Sequence, residues 1–175
     1  MLVDHIKKQL EEKQPDSFER LFVFRGSLVG YVKKDNLIDL CCYLRDDDNL
    51  KFNYLSMITA VDYLSKNQKR FEVVYSLFSI TYHHRIMLKI CVDEDEEIPS
   101  LTALWDTADW QEREVFDMFG IKFCGHPDLT RILLDDDWVG YPQRKDFPLT
   151  YQTPEFSHNR DNIKLLNKSP DKEVF

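Results

Sequence analysis

Residues 105–149 read WDTADWQEREVFDMFGIKFCGHPDLTRILLDDDWVGYPQRKDFPL and carry the strongest structural signals of the chain. Their first part predicts a helix that stops at Gly120, since glycine commonly ends a helix in the left-handed conformation. Asp109 and Glu112 have the spacing of a capping box, and Thr107 is a rival N-cap two residues earlier. Beyond the helix the chain is rich in proline and aromatic residues and shows no periodicity with which it could fold alone. We therefore expect the upstream residues to form a small α/β body, and this stretch to leave that body and lie against another protein.

One face of the predicted helix is apolar. At 100° per residue, this arc is formed by Val115, Phe116, Met118 and Phe119. Glu112 projects into the same arc, where a carboxylate is costly unless it is bonded. At the third helical position Glu112 can accept orphan N–H groups, which is a structural interpretation. The alternative is an acid or base with a raised pKa in a cleft.

The opposite arc of the helix is charged and contains Trp110, which projects among Arg113, Glu114 and Asp117. Arg113 and Asp117 are spaced i,i+4, but Glu114 and Asp117 are like charges at i,i+3, so a bare helix gains little from them. We expect this face to be covered by the arginines of a partner.

Composition predicts one globular domain that does not bind nucleic acid or a membrane by itself. The chain has 175 residues, 43% of them hydrophobic, and a formal net charge of −8. No apolar run has the length of a membrane span. Residues 1–13 are too charged for a signal peptide and too acidic for a mitochondrial transit sequence, so we expect the chain to stay where it is made.

The cysteines show no C-x-x-C spacing. There are four of them: Cys41, Cys42, Cys91 and Cys124. We predict reduced core residues, not a disulfide framework or the ligands of a cluster.

Hydrophobic periodicity upstream predicts an α+β fold. Helices are predicted at 2–13 and 33–44, and strands at 71–80 and 85–92. The segment 18–29 is predicted as a strand or a hairpin, and 52–64 is ambiguous between a turn of helix and a strand, of which we favour the strand. The segment 18–29 has a turn near Gly26, the strand in 52–64 ends at Asp62–Tyr63, and the last two strands form an antiparallel hairpin. The five acids at 93–97 predict a solvated loop. The whole is a small mixed or antiparallel sheet with helices packed on one face.

This α+β body spans residues 1–125 and ends in the capped helix 109–119. Residues 126–175 then form an extended C-terminal arm that binds a partner. The arm contains five of the seven prolines, and a loop of that length is rare in a compact domain. Its aromatic and arginine residues are typical of interface anchors.

The residues alone point to no active site. Residues 120–125 read G-x-x-x-x-G but continue with His-Pro, so they are not a phosphate-binding loop. A metal site can be imagined from five residues: Glu112, Glu114, Asp117, His126 and Asp128. No spacing fixes such a site. We therefore expect this chain to contribute no catalytic residue, no metal ligand and no cofactor-binding residue.

Three motifs in 105–149 resemble a known family. They are Glu112-Arg113-Glu114-x-Phe116-Asp117-x-Phe119-Gly120, Gly125-His126-Pro127-Asp128-Leu129 and Arg144-Lys145-Asp146-Phe147-Pro148-Leu149. Together they resemble the 30 kDa (C) subunit of respiratory complex I, the proton-pumping NADH:quinone oxidoreductase. Looser similarity covers 59–63 and 70–75. The chain departs from the family at Thr130, where arginine is usual, and at 141–143, where Tyr-Pro-Gln replaces His-Pro-Leu.

The resemblance implies a peripheral-arm subunit packed against the 49 kDa (D) subunit and its neighbours in the quinone module. It implies a location on the cytoplasmic or matrix side, with membrane association only through the complex. Because no transit peptide is predicted, we favour a bacterial (or organelle-encoded) subunit on the cytoplasmic side of the inner membrane. FMN, Fe–S clusters and quinone would be held by other subunits, which pass electrons from NADH to quinone. The residues expected at the partner interface are Trp110, Glu112, Arg113, Glu114, Asp117, His126, Pro127, Asp128, Arg131, Arg144, Lys145 and Asp146.

Two alternatives remain open at this point. One is the equivalent subunit of a related energy-converting membrane-bound hydrogenase or another non-NADH dehydrogenase. The other is a freestanding carboxylate or metal enzyme that uses Glu112, Glu114 and Asp117.

Overall fold

A computed structural model describes residues 2–64 and 69–148 of the chain. The helices are α1 (Leu2–Lys13), α2 (Leu37–Asp46), which follows a 3₁₀ turn at Lys34–Asn36, and α3 (Thr107–Phe119). The strands are β1 (Phe18–Phe24), β2 (Ser27–Val32), β3 (Tyr54–Asp62), β4 (Phe71–Ser79), β5 (His84–Val92), β6 (Glu97–Pro99) and β7 (Lys122–Cys124). Every helix and strand predicted upstream of residue 105 is present. The rest of the predicted arm, from 149 to 175, lies outside the described residues.

The main sheet has five strands in the order β1-β2-β5-β4-β3. It is mixed, because β2 and β5 are parallel whereas the other neighbours are antiparallel. Arg25 and Gly26 at the β1–β2 turn have φ of 49° and 80°, the left-handed values that a tight hairpin turn requires. A second, parallel pair joins β6 to β7. The predicted α+β class, with helices on one face of a small mixed sheet, is confirmed.

The core lies between the sheet and the helices. Alternate residues of β5 point into it and are almost fully buried: Ile86, Leu88, Ile90 and Val92. They meet the apolar stripes of the helices, among them Leu10 of α1, Leu40 of α2 and Val115 of α3. None of the helices in the described ranges has the length and apolar character needed to cross a lipid bilayer.

The start of α3 differs from the prediction. The helix begins at Thr107 with Asp106 as N-cap, and no side chain caps it. The capping box is absent because Asp109 is the third residue of the helix instead of its N-cap, and because Glu112 bonds to residues outside the helix. The predicted end is confirmed, since Gly120 has φ 76° and donates its N–H to Phe116 O.

Three smaller expectations also need correction. Phe116 is only half-buried and packs edge-on against Tyr141, so the core stripe of α3 is narrower than predicted. All four cysteines are free, but only Cys41 lies in the core, because Cys42 and Cys91 are half-buried and Cys124 is exposed. The acidic segment 93–97 is not simply solvated, because Glu96 accepts a hydrogen bond from Lys69 Nζ at 2.7 Å and Glu94 pairs with Arg70 and Arg144.

Candidate functional site

The buried carboxylate of Glu112 is fully bonded. Its Oε1 accepts the N–H of Leu101 at 2.7 Å and its Oε2 accepts the hydroxyl of Ser100 at 2.7 Å. Burial raises the pKa of Glu112 although both bonds favour the charged form. The side chain is completely enclosed, so it joins α3 to the end of β6 instead of facing a substrate. Glu112 is bonded as the structural interpretation expected, but it is the sixth residue of α3 and not the third, and the N–H comes from a neighbouring segment and not from the helix itself.

Asp117 organises the chain that follows the helix. Its Oδ2 accepts three successive backbone N–H groups, those of residues 132, 133 and 134, at 2.8–3.1 Å. Its Oδ1 accepts Arg131 Nη1 at 2.6 Å. Burial opposes ionisation, but these N–H groups and the Arg131 guanidinium outweigh it and lower the pKa of Asp117. We call Asp117, Arg131 and the N–H groups of 132–134 the Asp117 cluster.

Arg131 also bonds residues further along the chain. Its Nη2 donates to the carbonyl oxygens of Trp138 at 3.3 Å and Gly140 at 3.2 Å. One buried ion pair therefore holds two irregular segments, 131–134 and 138–140, against α3. Asp117 was expected to face a partner's arginines, and this is wrong for that residue, because its carboxylate is enclosed and bonded within the chain.

A second set of charges fixes residues 144–146 at the end of the sheet. Arg70 donates to Asp62 at 3.1 Å and to Asp146 at 2.6 Å, and it also pairs with Glu94. Asp62 in turn accepts the N–H of Lys145 at 2.9 Å. We call Asp62, Arg70, Glu94, Arg144 and Asp146 the Arg70 cluster.

Arg144 ties the Arg70 cluster to α3. Its Nε donates to Phe119 O at 2.6 Å, so it satisfies a carbonyl at the helix end. Its guanidinium lies over the ring of Tyr141 at 4.6 Å and over that of Phe71 at 5.2 Å. Burial and the neighbouring Arg70 lower its pKa from the ordinary arginine value.

Arg113 connects the outer face of α3 to the loop beside it. It donates to the hydroxyl of Thr130 at 2.8 Å and to the carbonyl of Thr130 at 3.1 Å. Its guanidinium also lies 5.1 Å from the centre of the Trp110 ring. Thr130 thus supplies a hydroxyl acceptor, which an arginine side chain lacks.

His126 holds the beginning of the same loop. Its Nδ1 accepts the N–H of Asp128 at 3.1 Å, so Nε2 carries the proton and faces the carbonyl and carboxylate of Asp109, both at 3.2 Å. The histidine is therefore bonded at both nitrogens. Within the part of the chain that the structure describes, no group of three His, Cys, Asp or Glu side chains could hold a metal ion.

The twelve residues expected at the interface thus fall into three groups. Exposed are Trp110, Glu114, Pro127, Asp128, Lys145 and Asp146; half-buried are Arg113, His126, Arg131 and Arg144; fully buried are Glu112 and Asp117. Glu112, Glu114 and Asp117 do not converge, because two of them are enclosed in separate networks and the third faces solvent. Sequence reasoning missed Asp62 and Arg70, whose only signal was the looser family similarity at 59–63 and 70–75.

Comparison with known proteins gives a consistent picture. The family model described as "Respiratory-chain NADH dehydrogenase, 30 Kd subunit" matches residues 30–153. The C subunit of NADH-quinone oxidoreductase from Roseiflexus sp. is 47% identical over 159 residues, which are 90% of this chain and 91% of that protein. The protein of the same name from Citrifermentans bemidjiense is 49% identical over 142 residues, or 81% and 86% of the two chains.

Two solved structures share the fold. A trypsin-resistant fragment of Nqo5 superposes with a TM-score of 0.62 at 31% identity, covering 74% of this chain and all of that one. A chain of an archaeal membrane-bound sulfane sulfur reductase superposes with a TM-score of 0.72 at 27% identity, covering 98% of each chain. The extent of the family match, the high identity to relatives over nearly their whole length and the shared fold lead to one conclusion: this chain belongs to the family of the 30 kDa subunit of respiratory-chain NADH dehydrogenase.

Proposed function

We propose that this chain is the C subunit of a proton-translocating NADH:quinone oxidoreductase, and that it scaffolds the adjacent 49 kDa (D) subunit in the quinone module. In this proposal the chain lies in the peripheral arm, on the cytoplasmic side of a bacterial inner membrane, and touches the membrane only through the complex. Electrons pass from NADH through FMN and Fe–S clusters in other subunits to quinone.

The observation that carries the scaffold role is the Asp117 cluster. Residues 126–148 contain no helix or strand, yet the buried carboxylates of Asp117 and Asp62 bond the backbone N–H groups of 132–134 and of Lys145, and Arg131, which pairs with Asp117, bonds the carbonyls of 138 and 140. Ordering a backbone costs about 1–2 kcal/mol of conformational entropy per residue. A segment that is held in one conformation at this cost is expected to have a role that depends on its shape. A fixed, irregular outer surface is what a scaffold needs in order to hold a neighbour in one orientation.

We further propose that the chain supplies no catalytic group or cofactor ligand to the complex. Three titratable residues of its family motif, Glu112, Asp117 and His126, are engaged in structural bonds. The thiol of Cys41 is enclosed in the core, where a neighbouring subunit cannot reach it. The chemistry then belongs to the neighbouring subunits.

A second candidate is the equivalent subunit of a respiratory complex that does not use NADH, such as an energy-converting hydrogenase. It is favoured by the superposition on the chain of the archaeal sulfane sulfur reductase, which extends over 98% of both proteins. The higher identity to proteins named as C subunits of NADH-quinone oxidoreductase favours the first proposal.

The test is affinity purification of the tagged chain at native expression. We expect the D subunit and the NADH-oxidising subunits to purify with it, and deletion of the gene to abolish NADH:quinone reductase activity in membranes. Co-purification with a hydrogenase or sulfur reductase would favour the second candidate. Recovery of the chain by itself would contradict both.

A further inference from the structure

Three large apolar side chains lie exposed on the outer side of α3 and its adjoining loops. They are Trp110, Leu133 and Val139, with 61%, 61% and 49% of their surface exposed. Tryptophan is among the residues most enriched in the energetic centres of interfaces, and an indole in water gains nothing for the isolated chain.

We group these side chains into one surface, because side-chain bonds connect the segments that carry them. Arg113 stacks on Trp110 and bonds the backbone of residues 130 and 131. Asp117, one turn further along α3, accepts the N–H of Leu133. Arg131 donates to the carbonyls of the residues on both sides of Val139.

Six exposed carboxylates lie on the same segments as the three apolar side chains. Two of them, Asp106 and Glu114, lie one helical turn before and after Trp110. Asp128 precedes the residues that Arg113 bonds, and the other three, 135–137, lie between Leu133 and Val139. None of the six forms an ion pair with any residue in 2–64 or 69–148. The contrast is sharp with Glu94, Glu96 and Asp146, which are paired although they are also at the surface.

We propose that this surface (Asp106, Trp110, Glu114, Asp128 and 133–139, the Trp110 surface) docks a basic face of the partner subunit, whose apolar cleft receives the indole. This inference rests on the proposed function and specifies its contact. Unpaired carboxylates of one sign repel each other in the isolated chain, and lysine or arginine residues of a partner would remove that repulsion. Arg113 is a positioning residue here, since its stacking holds the indole in one orientation before docking.

The chain offers a matched control for the indole. Phe24 is 55% exposed and has the guanidinium of Arg25 over its ring at 5.3 Å, the same arrangement as Trp110 with Arg113, but it lies at the distant β1–β2 hairpin. For the charges, Asp16, Asp35 and Asp39 are exposed acids in the N-terminal half, also without ion-pair partners among the described residues.

The test measures binding of the full chain to the D subunit from the same genome, at low and at high salt. Trp110→Ala should weaken binding at least about tenfold, and Phe24→Ala should leave it unchanged within about twofold. Changing residues 135–137 from Asp to Asn should slow association and flatten its salt dependence, whereas the same change at Asp16, Asp35 and Asp39 should do neither. Thermal unfolding of each variant should match the wild type, because every substituted side chain is exposed.

The possible results separate the two proposals. Wild-type affinity of the Trp110→Ala chain, or equal loss in Trp110→Ala and Phe24→Ala, would overturn the assignment of this surface and leave the proposed function standing. A wild-type chain that does not bind the D subunit would overturn the proposed function, and this inference with it.

Discussion

The carboxylate of Asp117 lies 2.6 Å from the guanidinium of Arg131, and the same carboxylate accepts the N–H groups of the next three residues of the loop. Asp117 is fully enclosed, and only 14% of the Arg131 side chain is exposed. This ion pair and the hydrogen bonds of its two members therefore fix the path of residues 131–140 along α3.

Replacing Asp117 with Asn should destabilise the isolated chain by about 3 kcal/mol, because it leaves Arg131 half-buried without its counter-ion. The measurement is urea unfolding, combined with hydrogen exchange of the amides of 132–134, which should lose protection. Glu114→Gln is the matched control on the same helix, and its exposed carboxylate should change the stability by less than about 0.5 kcal/mol. Unaltered stability of the Asp117 variant would show that the loop is held by other contacts.

The contribution of ionised Asp117 to the free energy of unfolding should disappear in acid. Burial disfavours its charge, but the N–H groups and Arg131 prevail and lower its pKa. An unfolded chain then binds the proton more readily than the folded chain does. The stabilisation is thus complete above the ordinary carboxyl pKa of about 3.9 and is lost as pH falls through the lowered folded value.

The check is the difference in unfolding free energy between the wild type and Asp117→Asn, followed from neutral pH into acid. We expect the difference to shrink as the pH falls. The raised pKa of Glu112 acts in the opposite direction, but it is present in both proteins and cancels. A difference that stays constant over the whole range would mean that Asp117 is not ionised in the fold.

Gly120→Ala should lower the free energy of unfolding by more than the strain of a left-handed backbone alone. A Cβ there would lie 2.5 Å from the Tyr141 ring and 2.8 Å from Arg144 Nη2, so it would push 141–144 away from the helix end. We expect the free energy of unfolding to fall by about 2–3 kcal/mol in Gly120→Ala and by about 1 kcal/mol in Gly125→Ala. Gly125 has φ 82° and no neighbour within 4 Å of the added atom, so the comparison isolates the crowding. Equal losses would rule out the contact with Tyr141.

Trypsin digestion should distinguish the isolated chain from the complex. We predict that trypsin cleaves residues 126–175 faster in the purified subunit than in the assembly, as expected for an arm that a partner covers. Within 126–148, cleavage at the exposed Lys145 should precede cleavage at Arg131, whose guanidinium is held by the Asp117 cluster. Equal protection in both states would argue against the arm.

Much of the body could be predicted because its signals are local. The alternation of Ile86, Leu88 and Ile90 with more polar residues describes a strand buried on one face, and that strand is β5. Glycine at position 120 ends α3 for a reason contained in its own backbone. The same spacing rules failed for Asp109 and Glu112, because a capping box describes only bonds that the helix can make with itself.

The order of residues was enough to establish the α+β class, the ends of most elements, the exposure of Trp110 and the family. The folded arrangement was needed to show which charges of the motif bind inside the chain and which face outward. Asp117 and Trp110 share the polar arc of one helix, yet one is enclosed and the other is 61% exposed. Periodicity assigns a residue to a face of its helix, but the partners of Asp117 are backbone N–H groups 15 to 17 residues away, and every residue type except proline carries such a group.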